Sequence, residues 1–225
     1  MLSLILVASV NAFSSPVLWH HEAIAVGNDW AEAGKDLRHR SVSAAIVVDG
    51  GAPLVQHEVW GCAREGDANL LFDLSLPRDY NLGTAELSLA SLWDPADAAQ
   101  VAPQLLDLAE RYAAVLEAAT GNRTTLVRLR VTVATGARCT APCPKIHADN
   151  VLMRCLVPVA GPGTVCVKSA FGLFGYSETL VPTAPGDVLF LKGRLWPQAR
   201  PGRHRSPDPT EDTRILLAID RHEDV

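Results

Sequence analysis

The sequence predicts a mainly β protein: an antiparallel barrel or jelly roll with one long helix packed outside it. Three observations carry this reading. Five short apolar stretches in the second half are divided by Gly/Pro turns such as Gly161-Pro162-Gly163 and Pro185-Gly186-Asp187. A long run with helical spacing precedes them, between Asp94 and Gly121. Hydrophobic residues make up 48 % and charged residues 20 % of the 225, enough apolar surface for a substantial single core.

Residues Met1 to Val10 are almost wholly apolar and lead into Asn11-Ala12, small residues of the kind a signal peptidase favours. The expectation is a secretory signal peptide over residues 1–12; the apolar run is too short to span a bilayer. A buried first strand is the structural alternative. The junction Asn11-Ala12-Phe13-Ser14-Ser15-Pro16 resembles that of plastid-targeting presequences in algae with secondary plastids. That resemblance implies entry into the secretory pathway and a presequence reaching about residue 40, with a cytoplasmic protein as the alternative. The adjacent His20 and His21 would point to opposite faces of a strand, so they are assigned to the presequence or the surface. One jelly-roll-type domain is expected over residues 41–225.

Signals are weak up to Trp93. Ser43–Asp49, followed by Gly50-Gly51, reads as a strand and turn, and Leu70–Leu76, ended by Pro77, as another strand. Asp94-Pro95 then opens a helix, with an N-cap acceptor before proline at the first helical position. Val101, Leu105, Leu108, Tyr112 and Leu116 form one apolar stripe facing a core. Pro103 is expected to kink this helix or split off a short first piece, and Gly121 to end it. Beyond it the period becomes two: Val127, Leu129, Val131 and Val133 alternate with Arg128, Arg130 and Thr132. Further strands are expected at residues 151–159, 164–168, 188–191 and 214–219.

The formal net charge of −5 argues against a nucleic-acid partner. Beyond the N-terminal segment no apolar run is long enough for a membrane span, so the expected partner is a small-molecule or protein substrate. Arg194, Arg200, Arg203 and Arg205 form a basic cluster, read either as a solvated loop or as an anion-attracting rim. Five cysteines are too few and odd in number for a disulfide framework; Cys155 and Cys166 read as small buried hydrophobes. Cys139 and Cys143 lie close before His147 and Asp149, which leaves a zinc site or a single disulfide open.

Chemistry is most direct at Cys143-Pro-Lys-Ile-His-Ala-Asp149, read with His204 and Arg214. On an extended segment His147 and Asp149 leave the same face, because strand side chains alternate. With His204 they make two imidazoles and one carboxylate, a set suited to non-haem Fe(II) with positions left for substrates. Arg214 opens the last strand, where its guanidinium suits the carboxylate of an organic acid, with Lys192 as a rival anchor. Arg154, early in the strand after Asp149, is read either as facing the cavity in a catalytic role or as paired with an acid. A purely structural reading makes His147 a strand cap, Asp149 a turn acceptor and His204 a surface residue. The two readings differ in whether the three side chains meet.

Taken together, Cys143-Pro-Lys-Ile-His-Ala-Asp149, Arg154, Gly161-Pro-Gly-Thr164, Gly186-Asp-Val-Leu-Phe-Leu-Lys-Gly193 with Trp196, His204-Arg-Ser-Pro207 and Arg214–Asp220 resemble the domain of unknown function 1826 family. The resemblance covers about residues 100–220. Its histidine, aspartate, histidine and arginine pattern is similar in turn to that of Fe(II)/2-oxoglutarate oxygenases. That similarity implies a double-stranded β-helix core of the jelly-roll or cupin-like kind, with helical packing supplied from the N-terminal side. It further implies Fe(II) on His147, Asp149 and His204, 2-oxoglutarate with its distal carboxylate on Arg214, and hydroxylation of an unknown substrate. A cupin-like zinc protein without redox chemistry and a non-catalytic jelly-roll binding domain are the alternatives.

Overall fold

The computed structural model describes residues 22–55, 68–76, 82–134, 143–172, 175–208 and 213–224. The expected signal peptide, His20, His21, Cys62 and Cys139 lie outside the described residues. Along the chain run β1 (Ala23–Gly27), α1 (Trp30–Asp36), β2 (Val42–Val47), α2 (Ala52–Val55), β3 (Ala68–Ser75), α3 (Leu82–Leu89) and α4 (Pro95–Thr120). Then follow β4 (Leu126–Ala134), β5 (Met153–Ala160), β6 (Val165–Gly172), β7 (Gly175–Pro182), β8 (Val188–Lys192), β9 (His204–Arg205) and β10 (Arg214–Arg221).

The strands form two sheets. The larger has the order β1-β2-β8-β5-β10-β4-β3, the smaller β7-β6-β9. Isolated pairings extend the smaller sheet: His147 pairs with His204 beyond β9, and Glu22 with Ser169 on β6. The sheets face each other across Ala44, Ile46, Leu156, Leu189, Leu191 and Ala218 from one side and Cys166 from the other. This is a double-stranded β-helix. Its inner apolar cluster draws on both sheets; its larger apolar core lies on the other face of the seven-stranded sheet.

Period-two alternation makes that division possible. Val127, Leu129, Val131 and Val133 of β4, Cys155, Val157 and Val159 of β5, and Ile215, Leu217 and Ile219 of β10 all join the helix-side core. The intervening residues therefore face inward: Arg128, Arg130 and Thr132 on β4, Arg154 and Leu156 on β5, and Arg214, Leu216, Ala218 and Asp220 on β10.

Helix α4 covers the outer face with the expected stripe, since Val101, Leu105, Leu108, Tyr112 and Leu116 are all buried there. Burying a Leu-sized side chain contributes about 1.5–3 kcal/mol, so this stripe is a large share of what holds the helix to the sheet. Tyr112 also donates its hydroxyl to the Met153 carbonyl at 2.9 Å, tying α4 to the start of β5. Two details differ from expectation. Pro103 does not divide the helix, which runs unbroken from Pro95 to Thr120; sheet packing on both sides of the proline holds the element together. Asp94 occupies the N-cap position but makes no side-chain capping bond. Gly121 ends the helix at φ 77°, the left-handed conformation that glycine adopts without steric cost.

Residues 22–40, expected to belong to a presequence, supply β1 and α1, and β1 pairs in parallel with β2. The strand β7 was not anticipated. Its Tyr176 and Leu180 are half exposed, so no buried face imposed a readable pattern on the segment. Among the described residues no helix is long and apolar enough to cross a membrane.

Candidate metal centre

The segment before Asp149 runs beside β9. The His147 amide donates to the His204 carbonyl and the His204 amide to the His147 carbonyl, each at 2.9 Å. Residues paired this way project from the same face, so a ladder places two side chains from positions 57 apart side by side. Their ring centroids are 4.4 Å apart. Asp149, two residues beyond His147, returns to that face. Its carbonyl accepts from the Arg194 amide at 2.8 Å, and the Val151 carbonyl from the Leu195 amide at 3.2 Å. The turn after β8 thus straps the aspartate's loop in place.

Both rings are held in one tautomer. The Lys145 carbonyl lies 2.9 Å from His147 Nδ1 and the Gly202 carbonyl 3.3 Å from His204 Nδ1. A carbonyl only accepts, so each Nδ1 carries the proton and each Nε2 presents a lone pair. Those two Nε2 atoms stand 3.6 Å from Asp149 Oδ1 and 3.3 Å from Asp149 Oδ2 respectively. The three ligand atoms lie within 4.8 Å of one another.

Asp149 Oδ2 is buried and receives no hydrogen bond among the described residues. For His204 to donate to it, the ring would need protons on both nitrogens. Otherwise two lone-pair atoms face each other in a poorly solvated place, which calls for a cation between them. A metal ion with ligand bonds near ~2 Å fits that gap. The donor set, two neutral imidazoles and one carboxylate, is that of non-haem Fe(II) sites with open positions. Burial raises the pKa of Asp149, but the His204 contact and the charge of Arg154 outweigh it, so the carboxyl titrates below its ordinary value.

Arg154 combines the two placements that the sequence left as alternatives. It faces inward and is paired. Its Nη1 lies 2.9 Å from Asp149 Oδ1, while Nε and Nη2 donate to Asp220 Oδ1 and Oδ2 at 2.7 and 2.6 Å. Asp220 was missed from the sequence. The signal was there in parity: positions 214, 216, 218 and 220 share one face, so Asp220 points the same way as Arg214.

Arg214 is buried on the inner face of β10, with Nε donating to the Pro162 carbonyl at 3.0 Å. It stands six residues before Asp220, roughly 20 Å along the strand. Lys192 is not brought to this site. It alternates with Leu191 and Leu189 and so projects to the helix side, where Nζ donates to the His39 carbonyl at 2.8 Å and sits 4.9 Å from the Trp196 ring centroid. The expectation that Lys192 competes with Arg214 as an anchor is corrected on that ground. Trp196 and Phe190 belong to the same helix-side core. Cys143 is exposed and outside the ligand cluster among the described residues.

Three arginines of the predicted basic cluster lie against acids. Arg203 bridges Glu22 and Glu178 at 2.9 and 2.7 Å, Arg200 lies 4.0 Å from Glu22, and Arg205 pairs with Asp208 at 2.7 Å. Two cavities of about 190 and 230 Å³ lie along α4, away from the triad.

The sequence profile of a family described as a protein of unknown function, DUF1826, matches residues 74–220. Comparison with curated proteins finds no match. Among solved structures, the rice dioxygenase for auxin oxidation is similar at a TM-score of 0.56 and 15 % identity, covering 88 % of this chain and 82 % of that one. The Arabidopsis thaliana dioxygenase for auxin oxidation 1, solved as a complex with 2-oxoglutarate, gives 0.53 and 12 %, over 88 % and 92 %. A full-length Neurospora crassa protein, solved in complex with alpha-KG, gives 0.53 and 9 %, over 89 % and 84 %. At such identities the likeness establishes the fold.

Proposed function

The chain belongs to the DUF1826 family, and we propose that it is a non-haem Fe(II)- and 2-oxoglutarate-dependent oxygenase hydroxylating a C–H bond of an organic substrate. The observation that carries this reading is the convergence of His147 Nε2, His204 Nε2 and Asp149 within 4.8 Å. The fold shared with proteins solved with 2-oxoglutarate bound supports it.

In this reading His147, Asp149 and His204 hold the metal, which with dioxygen and 2-oxoglutarate supplies oxidation of the substrate C–H bond, releasing succinate and carbon dioxide. The protein's own contribution is placement. The Lys145 and Gly202 carbonyls keep both imidazoles aimed with Nε2 inward. Arg154 holds Asp149 Oδ1, which leaves Oδ2 turned toward His204. Arg214, oriented by the Pro162 carbonyl deeper in the barrel, receives the distal carboxylate of 2-oxoglutarate. Leu156, Leu189, Leu191 and Ala218 keep the floor of the space apolar, which strengthens both charged contacts.

Anaerobic addition of Fe(II) and 2-oxoglutarate tests the reading. A weak visible metal-to-ligand charge-transfer band is expected in the wild type and not in Asp149→Ala. Folded, iron-loaded wild type without that band would overturn the assignment of this co-substrate.

A further inference from the structure

The inner wall formed by β3, β4, β10 and β5 carries four arginines, and one of them is unanswered among the described residues. Arg128 and Arg130 on β4 lie directly opposite Asp220 and Ala218 of β10, and Ala218 packs in the inner cluster, so both arginines face inward. Arg128 is held by Asp73 at 2.8 Å, Arg154 by Asp149 and Asp220, and Arg214 by the Pro162 carbonyl. Arg130 is half-buried and has no hydrogen-bond or ion-pair partner among the described residues. The carboxylate that feels its charge, Asp220, is already engaged twice by Arg154.

A half-buried guanidinium that no acid has engaged by a hydrogen bond keeps its fork of donors available to an incoming anion. The neighbours of Arg130 narrow down what kind. Leu71 stands opposite it on β3, Ala218 on β10, and Leu156 one strand further. Leu71 is 51 % exposed, so this stretch of wall opens to solvent. Ala218 is small and leaves room above the sheet. A fork of donors flanked by apolar side chains suits a carboxylate attached to an apolar body.

Resting on the oxygenase reading above, we infer that Arg130 binds the carboxylate of the substrate, and that the substrate is an apolar organic acid. The full chain loaded with Co(II) and 2-oxoglutarate is titrated calorimetrically with phenylacetate and with its uncharged isostere phenylacetamide. Phenylacetate binds the wild type at least tenfold more tightly than phenylacetamide. Arg130→Gln removes that preference, Arg130→Lys restores part of it, and 2-oxoglutarate affinity stays within about twofold in both. Thermal stability of Arg130→Gln is unchanged or higher, because an unpaired charge has been taken out. Equal binding of acid and amide by the wild type, or no binding of either, overturns the inference. So does a fall in 2-oxoglutarate affinity in Arg130→Gln, which assigns the residue to the co-substrate instead. Failure of the wild type to bind 2-oxoglutarate at all is a separate result and counts against the oxygenase reading itself.

Discussion

Arg154 and Asp220 face each other across β5 and β10, joined by two parallel hydrogen bonds of 2.7 and 2.6 Å. The third edge of the same guanidinium reaches Asp149. One side chain therefore links a ladder position in the sheet to a carboxylate of the triad. Burial raises the pKa of Asp220, against the pull of Arg154. That carboxylate consequently depends on its arginine to remain ionised.

Removing the arginine leaves two buried carboxylates without their cation. Arg154→Met is expected to cost about 3–5 kcal/mol in denaturant unfolding and to weaken Co(II) binding roughly 10–100-fold. Arg154→Lys retains the charge but not the fork, and falls between. The pairing with Asp220 is separable: Asp220→Asn should lower metal affinity less than Arg154→Met does. Equal metal affinity in all four proteins would show that Arg154 is not a positioning residue.

Metal should stabilise the folded chain through the triad alone. At one hundred times the dissociation constant, Co(II) or Zn(II) adds about 2.7 kcal/mol to unfolding, read as a rise in melting temperature. Asp149→Ala, His147→Ala and His204→Ala should each lose most of that rise. Cys143→Ser should retain it, since Cys143 is not in the cluster.

Gly193 allows the turn after β8 to lie against the loop of Asp149. A Cβ there would come 1.8 Å from the Val151 carbonyl oxygen, a backbone atom that has no way to retreat cheaply. Gly193→Ala is therefore expected to destabilise by more than about 3 kcal/mol. It should also lower metal affinity in whatever fraction folds, because the Arg194 and Leu195 amides hold the Asp149 loop. Gly27→Ala, with nothing within 4 Å, serves as the neutral control.

Lys192 gives a pH signature unrelated to the triad. Burial lowers its pKa from 10.5 to about 8. Below pH 8 both folded and unfolded chains carry the charge, and the burial penalty is fully present. Between 8 and 10.5 the folded chain gives up its proton first, so stability rises with pH; above that the penalty is gone. Relative to Lys192→Met, the wild type should gain roughly 1–3 kcal/mol between pH 7 and pH 10.5, measured by denaturation at each pH. The bond to the His39 carbonyl and the Trp196 face favour the charged amine and keep the figure below the full shift.

Much of the architecture was legible in the chain. The apolar stripe of α4, the alternation in β4, and the turns at Gly161 and Gly186 reflect local rules, and local rules act on neighbours in sequence. Strand β7 and the short helices α1 and α3 were not legible, because little burial disciplines their patterns. Lys192 illustrates a subtler limit. Its parity with Phe190 was readable, but which parity faces the barrel was not.

By itself, the sequence determined that His147 and Asp149 share a face if their segment is extended, that Arg214 opens the last strand, and that one long amphipathic helix must cover a sheet. Only the tertiary structure decided that His204 lies beside His147, that Arg154 meets Asp220, and that Arg130 has no hydrogen-bond or ion-pair partner among the described residues. The reason is physical: side-chain direction follows from dihedral periodicity within a strand, whereas the identity and register of the adjacent strand follow from how the whole sheet buries its two faces.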